Sequence, residues 1–166
     1  MSIQPGDLPL TRPDAACAFD FLFGRWRVHN RRLRQRLAGS KDWEEFGASL
    51  EVKPVLGGLG NVDQYRTMID DSYFEGLSLR LFSLVDETWR IYWADTSAGQ
   101  LLAPLMGEFE GAVGTFFGRE THGGSQIQVR FLWESLDTNS ARWEQAYSAD
   151  GGESWEINWK MDLRRH

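Results

Sequence analysis

After Gly24 the apolar side chains recur at every second position, the repeat of an extended strand whose two faces meet different surroundings. Ile127, Val129, Phe131 and Trp133 alternate with Gln128, Arg130 and Glu134, and only Leu132 breaks the pattern. The same alternation runs through Leu77, Leu79 and Leu81, through Trp89, Ile91 and Trp93, and through Trp155, Ile157, Trp159, Met161 and Leu163. Each stripe is expected to face one shared core, leaving the other face of its strand to water.

Short polar clusters separate these runs at residues 38–41, 57–60, 70–72, 86–88, 96–100, 111–114, 122–125, 137–140 and 150–152. Gly, Asp, Asn and Ser dominate them, the residues that supply turn dihedrals or bond their own backbone. About ten strands fit between them. There is no alternation of strands with helices and no repeat of fixed period, which argues against Rossmann, TIM-barrel and propeller folds. The expected fold is an all-β, antiparallel up-and-down barrel, with a two-sheet sandwich as the alternative.

Only residues 13–23 have a helical period, with Ala15, Ala18, Phe19 and Leu22 at i, i+3, i+4 and i+7 and Gly24 placed to stop the helix. Residues 1–12, with Pro5, Gly6 and Pro9, read as a flexible leader, and 13–166 as one domain. A chain of 166 residues is long enough to bury a core without a staple. The single cysteine, Cys17, offers no disulfide and reads as a small buried side chain. The first residues lack the basic start and apolar run of a secretory signal, and no stretch approaches a membrane span, so a cytoplasmic location is expected.

The formal net charge of -6 argues against nucleic acid and anionic membrane as partners. One basic run, Arg25, Arg27, Arg31, Arg32, Arg34 and Arg36, faces across a turn the acidic Asp42, Glu44, Glu45 and Glu51. Cross-strand ion pairing accounts for it better than an anion site. An edge strand or an exposed apolar patch could support a homodimer, although no segment identifies it.

Gly24-Arg25-Trp26 has the form of the glycine, any residue, tryptophan signature of lipocalins, whose indole plugs the barrel floor beneath a basic residue of the last strand. Arg164 or its neighbour Arg165 is in place for that contact, and the floor is assigned to Trp26 with Arg164. With FLFGRW, GGLGNVDQY, LSLRLF, WRIYWAD, VRFLWE and WEQAYSADGGESWEINWKMDLRR, the chain resembles, from about Phe19 to Arg165, a family of uncharacterised bacterial lipocalin-like proteins of the calycin superfamily. The resemblance implies a calycin barrel with a short N-terminal helix and brings no catalytic residues with it.

Other motifs read as structure. Ser148, Asp150, Gly152, Ser154 and Trp155 match the Asp box of sialidases, here a single hairpin device. Gly57-Gly58-Leu59-Gly60 lacks the Lys-Ser/Thr and following helix of a phosphate loop. The neighbouring carboxylates Glu44 with Glu45, Asp70 with Asp71 and Glu108 with Glu110 lie in polar contexts. No cofactor or metal is expected: of the histidines, His29 is on the first strand, His122 in a glycine-rich turn and His166 terminal, which leaves little to ligate haem.

Eight Trp, ten Phe and four Tyr bury large area and would serve a packed core as well as a cavity wall. A barrel of more than about eight strands is hard to fill with side chains, so an aromatic-lined cavity is expected. Its lining is expected to be Trp93, Trp133, Trp143, Gln145, Tyr147 and Trp159, with Asn61 and Tyr65 as polar contacts. Arg80, Arg90, Arg130, Arg142, Glu144, Glu156, Asn158 and Lys160 then fall on the outer face. A bulge that turned a strand over would bring Arg80 or Arg130 inside, where either could hold a carboxylate. The first expectation is therefore binding of a small apolar or aromatic molecule, with or without a carboxylate. The alternatives are a lipocalin-fold enzyme of isomerase, cyclase or decarboxylase type, with Tyr65, Tyr147 and Glu144 as acid or base, and a filled barrel serving structure or interaction.

Overall fold

A computed structural model describes residues 11–166, and in it the alternating segments form ten antiparallel strands. They are β1 (Gly24–Leu33), β2 (Trp43–Val55), β3 (Gly60–Ile69), β4 (Ser72–Phe82), β5 (Trp89–Asp95), β6 (Leu105–Glu110), β7 (Val113–His122), β8 (Ser125–Asp137), β9 (Ser140–Ser148) and β10 (Glu156–Arg165). Each pairs with its neighbours in sequence, and β1 closes the barrel by pairing with β10 in the register Trp26 to Arg165. The up-and-down barrel thus forms, not the sandwich, and closure leaves no free strand edge among the described residues. The seam between β5 and β6 is the shortest, with three paired positions. No helix among the described residues is long and apolar enough to cross a membrane.

Local chemistry accounts for the hairpins. Between Ile69 and Ser72 the chain turns through Asp70 and Asp71, both at positive φ, as a tight hairpin twisted to match its strands requires. The basic run pairs across β1 and β2 as expected: Arg25 opposes Glu51 at 3.4 Å, and Arg32 lies 2.5 Å from Glu44.

The N-terminal helix is short and consists of two 3-10 turns, Asp14–Cys17 and Asp20–Leu22. Its buried residues are Ala16, Phe19 and Leu22, three apart, so the inward face follows three residues per turn and Ala15 is left exposed. Cys17 is only half-buried. Of the leader expected over residues 1–12, residues 1–10 lie outside the described residues. Arg12 is held in place, donating to the Asp20 carboxylate at 2.8 and 2.9 Å and to the Gly58 carbonyl at 3.1 Å.

These turns seal one end of the barrel. Phe19 is fully buried, with the rings of Phe109, Trp89 and Phe116 centred 4.8, 4.9 and 5.6 Å away. Trp26 Nε1 donates to the Leu22 carbonyl at 2.8 Å, and Trp89 Nε1 to Ala15 at 3.0 Å. The basic residue over Trp26 is Arg165, its guanidinium 4.1 Å from the ring centre and bonded to the carbonyls of Phe21 and Phe23. The assignment to Arg164 is corrected: one residue away, Arg164 lies on the opposite face of β10 and is exposed. Gly24 makes the approach geometrically feasible, since at φ +112 an added Cβ would lie 2.8 Å from Arg165 Nη1.

Two stripes depart from expectation. In β4 the phase is reversed: Leu77 is exposed, Leu79 and Leu81 are part-exposed, and Ser78, Arg80 and Phe82 are buried. No register shift causes this; Arg80 stands directly opposite buried Asn61, and the paired positions from Leu81 to Ser72 all keep one register. In β10 the pairing shifts between Ile157 and Trp159, which turns Asn158 into the interior. Trp155 then lies outside, against Phe117 and beneath Arg130.

Candidate functional site

Above the sealed floor the barrel encloses a cavity of about 320 Å³. The expected residues Tyr65, Trp93, Trp133, Trp143, Gln145, Tyr147 and Trp159 all line it. Trp143 is the hub of one wall, its ring 5.0 Å from Phe131, 5.8 Å from Trp159 and 6.4 Å from Trp133. Trp93 covers the facing wall because Gly76 on β4 leaves room for it: an added Cβ would sit 2.0 Å from the indole. Trp93 Nε1 is anchored on Asp95 at 2.8 Å.

Polar groups fix these rings. The side-chain oxygen Asn30 Oδ1 accepts from Tyr65 Oη at 2.9 Å and from Trp159 Nε1 at 3.0 Å. Gln145 Nε2 donates to Asn158 Oδ1 at 2.9 Å. Burial pushes the Tyr65 hydroxyl far above its ordinary value, so it stays neutral and serves as a hydrogen-bond strut rather than a proton carrier at neutral pH.

Arg80 is the largest departure from the expected outer face. It is 2 % exposed, lines the cavity, and lies between the rings of Phe19 and Trp133, 5.4 and 5.2 Å from their centres. One terminal nitrogen donates to Asp63 at 2.6 Å and the other to Asn61 at 2.9 Å. The second oxygen of Asp63 accepts the Ser78 backbone N–H at 2.8 Å. Asn61 therefore stands behind the arginine rather than on the wall. Asp63 is not among the residues expected at the site, although Asn61, Asp63 and Tyr65 share one face of a strand by their spacing of two. Arg130 stays outside, over the Trp155 ring at 4.9 Å, and Glu144 lies on the same outer face, 3.9 Å from it.

The far end opens between the loop after β1 and the loop between β5 and β6, where Arg36, Ser97, Leu102 and Ala103 line the cavity. Arg36 Nη1 donates to Tyr147 Oη at 3.2 Å, and that hydroxyl lies 3.4 Å from Glu120 Oε2. The Arg36 carbonyl accepts from His122 Nε2 at 3.2 Å, and the Leu37 N–H donates to Glu156 at 2.8 Å. Three groups, Tyr147 of β9, His122 at the end of β7 and Glu156 of β10, thus hold one loop over the mouth. Among the described residues no three His, Cys, Asp or Glu side chains gather as metal ligands would.

Burial raises Glu120 above the ordinary carboxylate value, against the lowering effects of Tyr147, Arg36 and His122. A raised folded value means that the fold disfavours the ionised form. The contribution to stability is whole below about pH 4 and is lost as pH rises through the raised value. Glu120→Gln is therefore expected to unfold at higher denaturant than the parent at pH 7, with the gap closing at pH 4, as urea titrations at the two pH values will show.

No protein-family model matches the chain, and no curated protein is similar to it at a significant level.

Proposed function

We propose that the barrel binds one small apolar or aromatic molecule in its interior, in the manner of a lipocalin-like carrier. The observation that carries this reading is the ring-walled space of about 320 Å³, closed at the Phe19 end and lined at its mouth by Arg36 and Tyr147. Its volume falls at the small end of the range of ligand pockets, roughly 300–1,000 Å³, and its mix of aromatic walls with a few placed polar groups is theirs too. The up-and-down closure and the Arg165 cap over Trp26 support the lipocalin-like reading of the fold.

Titration with neutral naphthalene derivatives is expected to change the fluorescence of the wall tryptophans, with a one-to-one adduct in native mass spectra. Ser78→Phe puts a ring into the space from β4 at an overpacking cost of about 1–3 kcal/mol and is expected to abolish both signals while the far-ultraviolet circular dichroism of the barrel persists. Unchanged binding by that variant would place the ligand elsewhere.

A further inference from the structure

Two residues that line the cavity, Arg80 and Trp133, each carry a buried N–H donor, Nε and Nε1, that no atom of the described residues accepts. Each residue is 2 % exposed. The other two guanidinium nitrogens of Arg80 are already bonded, to Asp63 and Asn61, so the unmatched edge is a specific one. A buried donor without an acceptor costs about 1–3 kcal/mol, and an oxygen atom on a bound molecule would remove that cost.

Charge decides which oxygen. Arg80 is already neutralised by Asp63 at 2.6 Å in a site both residues share almost without solvent. A ligand carboxylate there would be a second anion beside Asp63, which a weakly solvated site disfavours. The cavity as a whole is also balanced, lined by Arg32, Arg36 and Arg80 and by Asp63, Asp95 and Glu120. A neutral carbonyl supplies the missing acceptor without adding charge. Resting on the cavity-binding reading, we propose that the ligand is an uncharged aromatic carbonyl compound, a ketone or an amide. Its oxygen accepts from Arg80 and Trp133, and its ring lies among the tryptophans. Arg36 marks the rival arrangement: among the described residues it has no carboxylate within 4.0 Å, so an acid would bind at the mouth instead.

Three probes of one skeleton separate the cases: 2-acetylnaphthalene, 2-ethylnaphthalene and 2-naphthoate, titrated by calorimetry. The ketone is expected to bind about tenfold more tightly than either of the others, the worth of one to two buried hydrogen bonds. Trp133→Phe, which keeps an aromatic ring and removes the donor, is expected to weaken the ketone about fivefold to tenfold more than it weakens the hydrocarbon. In the parent protein the indole N–H resonance of Trp133 should move with the ketone and not with the hydrocarbon, a readout that holds even if the variant folds poorly. Equal binding of ketone and hydrocarbon, or tighter binding of naphthoate that Arg36→Met abolishes, overturns the carbonyl assignment and leaves cavity binding standing. Failure of all three to bind overturns both.

Discussion

Asp63→Ala is expected to destabilise the barrel by about 3–5 kcal/mol, because it strands the Arg80 guanidinium in the interior without its counter-ion. For a domain of this length that is a fall of roughly 6–20 °C in Tm, measured by thermal unfolding followed by circular dichroism. The loss is mostly the penalty of an uncompensated buried charge, not the net worth of the pair. Arg80→Met combined with Asp63→Leu is therefore expected to recover most of it, because apolar side chains of similar volume can replace a buried ion pair at little cost. A double variant as unstable as Asp63→Ala alone would mean that the pair holds β3 to β4 by its bonds, including the Ser78 N–H to Asp63, and not by charge balance.

Phe19→Ala is the second large effect. Phe19 is fully buried and touches, edge-on or stacked, the rings of Trp89, Phe109 and Phe116, which come from β5, β6 and β7. Truncating such a ring costs about 3–5 kcal/mol, part for lost transfer and part for the void left behind. Here the void adjoins Arg80, whose guanidinium rests on the same ring, so water gains a route to the buried pair from the floor. The expected result is a Tm loss comparable with that of Asp63→Ala, together with faster exchange of the Trp89 indole N–H, which now bonds to Ala15 of the plug. Loss of stability without faster exchange would show that the 3-10 turns stay docked without their central ring.

The alternation in β5, β8 and β9 placed Trp93, Trp133, Trp143, Gln145 and Tyr147 on the cavity wall, because within one strand every second residue must share a face. The reversed phase of β4 was not legible. Leu77, Leu79 and Leu81 form as apolar a stripe as any in the chain, yet they lie outward, since the Asn61 and Asp63 face of β3 provides partners for Arg80 and none for leucine. Asn158 escaped for a different reason: one shifted pair in β10 turns a strand over, and a bulge leaves no periodic trace. In the sequence Arg32 and Arg36 stand out only as part of a basic run. Arg32 does pair across the strands with Glu44, but both side chains also reach the cavity, a fact of loop path and barrel curvature that spacing does not carry.

The amino-acid order by itself determined the strand period, the turns between strands and therefore a meander with one aromatic interior, because those depend on residues close together in the chain. Which face of β4 turns inward, which arginine covers Trp26, and the pairing of Arg80 with Asp63 were decided only by the tertiary structure. Each depends on the partner that a neighbouring strand presents, and burial of a charge is tolerated only where that partner completes it.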